Sequence, residues 1–98
     1  MPTYRVLVSG VNLLLDVDGE QGRYGFEVAR FVEARDAADA EEQALTLIRE
    51  SRQIRLGARN APSAPPVFRV VEVRELGAGE RMPPNQPGFA FYPDELDA

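Results

Sequence analysis

Residues 24–52 read YGFEVARFVEARDAADAEEQALTLIRESR, and their reading decides the fold: a β-strand that passes directly into an amphipathic helix. Asp36 is the natural N-cap, because its carboxylate can accept orphan backbone N–H groups of the first helical turn. Asp39 stands three residues on, where a capping box places its acid. Asp39, Glu41 and Glu42 put negative charge near the start of the helix. Arg49 and Arg52 put positive charge near its end, so both termini complement the helix dipole. At about 100° per residue, Ala37, Ala40, Ala44, Leu45, Leu47 and Ile48 fall on one arc. Asp39, Glu42, Gln43, Thr46, Arg49 and Glu50 fall opposite, with Glu41 a misfit near the apolar arc. The small residues come first, so the N-terminal half of the helix is expected to lie close to a sheet.

Upstream, residues 3–9 (TYRVLVS) alternate as a strand with Tyr4, Val6 and Val8 on one face, and Gly10 is expected to break or bend it. Residues 12–17 (NLLLDV) read as a second strand, whose three consecutive leucines ask for cover on both faces. Asp18-Gly19 is a tight-turn signal, since both residue types tolerate positive φ. The connection is expected to run on through Gly22, with the third strand starting at Tyr24. There Tyr24, Phe26, Val28, Val32 and Ala34 share a face, interrupted by Arg30, while Phe31 points the other way. Either a bulge near Ala29–Arg30 shifts the phase, or Phe31 packs on a second face.

Downstream of the helix, residues 53–66 (QIRLGARNAPSAPP) read as a linker tacked to the core by Ile54 and Leu56, with residues 57–66 a flexible loop. Residues 67–76 (VFRVVEVREL) form a β-branched fourth strand, followed by a flexible loop at 77–87. Residues 88–93 (GFAFYP) hold three of the chain's eight aromatics, with Phe89 and Phe91 facing one way and Tyr92 the other if the segment is extended. The polar tail 94–98 is expected to fray. The expected fold is therefore α+β and a single domain, 1–98. An antiparallel sheet of four or five strands runs in the order β-β-β-α-β(-β), with one helix packed on one face. One helix covers only part of such a sheet, so Leu14, Phe31 or Phe68 on the opposite face are expected to stay exposed as an association surface.

Composition bounds the function. The 98 residues, 44% hydrophobic, are enough for one self-sufficient core. With no cysteine there is neither a disulfide framework nor thiol chemistry, which fits a reducing compartment; a cytoplasmic location is expected. Pro2, Tyr4 and Arg5 open straight into a strand pattern rather than a signal peptide. No apolar run approaches the roughly 20 residues of a membrane span. The net charge of −5 argues against a general affinity for nucleic acid or anionic membranes.

The chain has neither histidine nor lysine, all eleven basic residues being arginine. Ser–His and Cys–His nucleophilic sites, histidine zinc sites and Ser–Lys mechanisms are thereby excluded, and an enzyme is not expected. No catalytic residue, metal ligand or cofactor motif is assigned, and no small-molecule site is evident. Asp16, Asp18 and Glu27 occupy the first, third and twelfth positions of a calcium loop. Gln21 stands where that loop requires glycine, so the reading is an acidic hairpin turn. Arg49, Arg52, Arg55 and Arg59 cluster against the single acid Glu50. They read as dipole compensation and a solvated loop, or as a weak nucleic-acid contact with Phe31 or Tyr92 as stacking partners. Residues 88–93 either dock as an edge strand on their own core or reach across to a second copy.

The passage FVEARDAADAEEQALTLI, preceded by a hairpin, resembles the core of HicB-type antitoxins, in which a strand ends at a polar cap and an alanine-spaced helix follows. The match covers about half of the chain and lacks a DNA-binding extension, so it implies a fold more than an activity. The layout of NLLLDVDG, GFEVARFVEA and a terminal GFAFYPDE is also similar to a group of short bacterial proteins of unknown function. A bent five-stranded sheet with one helix invites comparison with Sm-like RNA-binding barrels, where the helix comes first instead. The leading expectation is a protein-interaction module, a homodimer or a partner of another protein. Its tentative contact residues are Phe89, Phe91, Tyr92 and Phe31. The second is a nucleic-acid-linked regulator using Arg49, Arg52, Arg55 and Arg59.

Overall fold

Asp18 and Gly19 both adopt positive φ, 53° and 85°. This two-residue turn joins β1 (Thr3–Val17) to β2 (Glu20–Glu33) as one long antiparallel hairpin. The computed structural model describes residues 1–85 and 88–93; the tail 94–98, expected to fray, lies outside the described residues. After β2 come α1 (Ala37–Arg49), α2 (Arg52–Gly57), β3 (Val67–Glu75) and β4 (Tyr92–Pro93). The fold is α+β, with one antiparallel four-stranded sheet ordered β3-β1-β2-β4. The observed order β-β-α-α-β-β corrects the expected β-β-β-α-β(-β). Residues 3–9 and 12–17 belong to one strand, and β2 starts at Glu20, so that Gly22 pairs with Leu15.

Gly10 does not end β1. It faces Phe26 while Leu13 faces Tyr24, so Val11 and Asn12 together oppose the single Gly25. This is a β-bulge, with Asn12 at a φ of 61°, a conformation asparagine adopts more readily than most residues. The extra residue switches the parity of the strand. Tyr4, Val6 and Val8 before it and Leu13 and Leu15 after it all join the buried core. The phase shift thus lies on β1 and not at Ala29–Arg30. From Phe26 to Glu33 the pairing of β2 is uninterrupted, which leaves Phe31 on the second face and puts Arg30 on the core face, only 7% exposed.

α1 lies over the core face. Asp36 caps it as expected: the Asp39 N–H donates to Asp36 Oδ1 at 2.8 Å, and the Arg35 N–H donates to Asp39 Oδ2 at 3.1 Å. Ala40, Ala44 and Ile48 are fully buried along one line, small residues before large. Leu45 is half-buried, whereas Ala37 in the first turn and Leu47 on the flank are exposed, although both stand on the apolar arc of the sequence. Residues 52–57, read as linker, form the short helix α2, which buries Ile54 but leaves Leu56 exposed.

The rest of the linker is tied to the outer edge of β1 beyond Val67, the first residue of β3. The Asn60 carboxamide accepts from the Leu14 N–H at 2.9 Å and donates to the Asn12 carbonyl at 2.7 Å, and the Arg59 N–H donates to the Leu14 carbonyl at 2.8 Å. β3 carries a bulge of its own, since Leu7 faces Glu72 but Val8 faces Val70, which leaves Val71 over.

The uncovered face is not the apolar surface expected. Phe68 turns to the core, its ring 6.0 Å from that of Phe26, and Leu14 and Phe31 are half-buried. The cross-strand rows there set Glu27, Ser9 and Arg69 side by side, then Ala29, Leu7 and Glu72, then Phe31, Arg5 and Arg74. An ion pair between Arg5 and Glu72 at 3.3 Å ties two of these rows together.

A Cβ at Gly10 would run into the ring of Phe26, which is fully buried and packed by three other aromatic rings, so it has nowhere to move. Gly10→Ala should therefore destabilise the fold by about 1–3 kcal/mol in urea unfolding. Gly88→Ala, where a Cβ meets nothing within 4 Å, should change it little.

Hydrogen bonds hold two carboxyls below their ordinary values: Asp39, first through the Arg35 N–H, and Glu80, first through the Gly77 N–H and then through Arg74. Depressed folded values mean that their stabilisation is present above the unfolded carboxylate range of about 4 and lost as pH falls below it. The urea midpoint should drop between pH 5 and pH 3, and less so in Asp39→Asn.

Candidate functional site

Residues 83–85 and 88–93 form a strap along the outer edge of β2. At one end the Asn85 carboxamide closes on a single residue of the edge. It accepts from the Phe31 N–H at 2.8 Å and donates to the Phe31 carbonyl at 3.0 Å. At the other end β4 pairs Tyr92 with Gly25 and Pro93 with Tyr24. Between them Phe89 and Phe91 stack on each other, centroids 5.7 Å apart, and both meet Phe26 in near-perpendicular, edge-to-face geometry at 4.9 and 6.0 Å. Phe89 also lies 5.2 Å from the Arg30 guanidinium carbon, a cation–π contact. Burial holds the Arg30 value below that of an exposed arginine, and its Nη1 donates to the Ala29 carbonyl at 3.0 Å.

Of the aromatic residues singled out in the sequence, Phe89 and Phe91 thus pack into the chain's own core. Phe31 is half-buried beside Pro83 and Pro84, and only Tyr92, whose ring crosses Gly25, is largely exposed.

The arginines divide. Arg49 closes α1 and Arg55 lies in the last turn of α2, both exposed. Arg52 and Arg59 instead line an open groove of about 720 Å³ between α2 and the far end of the hairpin. Leu15, Val17, Leu56 and Phe91 supply its apolar lining, and Asp16 stands at it as well. The sequence gives Arg52 and Arg59 but not the groove, because its floor comes from three separate parts of the chain. The available signal was Val17 and Leu56, apolar residues at element ends that stay 42% and 59% exposed.

Glu27 is paired opposite Ser9, well up the hairpin from Asp16 and Asp18. Among the described residues no group of three or more Asp, Glu, His or Cys could hold a metal ion. Tyr4, on the core face, has its hydroxyl value raised by burial first and then by the carboxylates of Glu75 and Asp36. No described helix is long and apolar enough to cross a membrane. The remaining feature is the outer edge of β3, to which no described strand is paired and where Val67 and Val71 are 54% and 47% exposed.

Phe89→Ala and Phe91→Ala should each lower stability by about 2 kcal/mol, less than for fully buried rings, and should leave the oligomeric state of the folded protein unchanged. Urea unfolding and light scattering on the same samples check both outcomes. Compared with known protein families, curated proteins and solved structures, the chain matches none, so its likeness to HicB-type antitoxins rests on the sequence alone.

Proposed function

We propose that the chain is a non-enzymatic, cytoplasmic protein-interaction module that self-associates as a homodimer through the outer edge of β3. The observation that carries this reading is the difference between the two edges of the sheet. The β2 edge is covered by Asn85 at one end and Tyr92–Pro93 at the other, while the nine-residue edge of β3 is free of any described strand. An edge strand of that length offers a row of unpaired N–H and C=O groups and templates the pairing of another strand.

The edge sequence VFRVVEVRE is β-branched and carries charges of both signs. If a second β3 lies antiparallel with Val70 opposite Val71, twofold symmetry puts Arg69 opposite Glu72 of the partner subunit twice over. Charge on an edge also discourages indiscriminate pairing, so that one register is favoured over continuous aggregation.

A nucleic-acid-linked role takes second place. Arg49, Arg52, Arg55 and Arg59 are all exposed along α1, α2 and the segment after it, but the chain is acidic overall and two of the four stand over apolar side chains.

Light scattering over a range of protein concentrations tests the dimer. The wild type should approach twice the chain mass, Arg69→Glu should shift it toward the monomer, and adding Glu72→Arg should restore association. A wild type that stays monomeric at every concentration, or a dimer indifferent to Arg69→Glu, rules the β3 interface out.

A further inference from the structure

We infer that the groove between α2 and the far end of the hairpin binds a small amphipathic carboxylate. Arg52 and Arg59 hold the head group, and Leu15, Leu56 and Phe91 receive the apolar body. The site stands apart from the β3 edge, so either proposal can fail without the other.

The floor is apolar. Leu15 is 7% exposed, Phe91 is half-buried against Phe26, and Leu56 projects into the groove with more than half of its surface in water. Leaving a leucine so exposed beside a concavity is costly unless something covers it, at about 25 cal/mol per Å² of apolar surface. The opening of about 720 Å³ falls within the roughly 300–1,000 Å³ typical of small-molecule sites.

The charge follows the same logic. Neither the Arg52 nor the Arg59 guanidinium has a hydrogen-bond or ion-pair partner among the described residues. The two flank α2, one in its first turn and one just past its end. Among the described residues Asp16 is the one acid lining the groove beside two arginines, so their charges sum to a single positive charge, matched to a monoanion. A guanidinium pairs with a carboxylate through two parallel N–H···O bonds, which fixes the head while the apolar body covers Leu56. A phosphodiester chain would leave that floor uncovered. Gln53 adds a polar side chain to the lining.

The test is titration of the full chain with decanoate below its micelle concentration, followed by amide chemical shifts, with decanol as the uncharged probe and inorganic phosphate as the head group alone. Decanoate should saturate and shift amides of residues 15–17, 52–59 and 91. Decanol and phosphate should each bind at least roughly tenfold more weakly. Arg52→Gln with Arg59→Gln should weaken decanoate about tenfold without changing the thermal unfolding midpoint, and Leu56→Asn should weaken decanoate and decanol alike. Four outcomes would overturn the assignment: no saturable shift, equal affinity for decanol, shifts confined to other residues, or a double arginine variant that binds as the wild type does.

Discussion

The structure depends on a ring lying across a residue that has no side chain. Phe26 sits opposite Gly10 in the hairpin, and its ring occupies the space where a Gly10 side chain would stand. Three further rings, Phe68, Phe89 and Phe91, close around it. Immediately beyond this pair β1 bulges at Val11 and Asn12, and the bulge carries the leucines Leu13 and Leu15 onto the core face that Tyr4, Val6 and Val8 already occupy. Without it, a period of two would send Leu13 and Leu15 to the opposite face. One glycine and one irregularity thus allow a fifteen-residue strand to serve a single core.

Two places where a strand runs out of partners are closed by an asparagine. Asn60 takes the edge of β1 beyond β3, and Asn85 takes the edge of β2 away from β4. Each presents a carboxamide that accepts from one backbone N–H and donates to a backbone carbonyl. A carboxamide has the donor and acceptor of a peptide unit and can satisfy an edge at one residue without a paired strand. The outer side of β3 is an edge to which no described strand is paired, and its side chains carry charges of both signs.

Arg30 is the residue whose meaning changed most. In the sequence it interrupts an apolar face. In the fold it stays on that face, its stem buried among apolar neighbours and its guanidinium against the ring of Phe89. A planar, weakly hydrated cation tolerates such a place where an ammonium would not. The same contact helps to fix the strap on β2, so the apparent break in the pattern belongs to the packing of residues 88–93.

The sequence by itself determined what depends on near neighbours: α1 with its Asp36 cap and its buried line of Ala40, Ala44 and Ile48, the Asp18-Gly19 turn, β3, and the opposed faces of Phe89 and Tyr92. These follow from capping, a 3.6-residue period and positive φ, each set within a few residues. Only the tertiary structure decided that residues 3–17 are one strand, that the phase shift lies at Asn12 and not at Arg30, and that residues 52–57 are helical. The same holds for which sheet edge is strapped and for the groove that brings Arg52, Arg59, Leu15 and Phe91 together. A bulge is chosen by which parity buries more apolar surface against α1 and the aromatic cluster, and an edge is closed by a residue some fifty positions away. Contacts at that separation leave no periodic trace in the chain, because only the folded arrangement makes those residues neighbours.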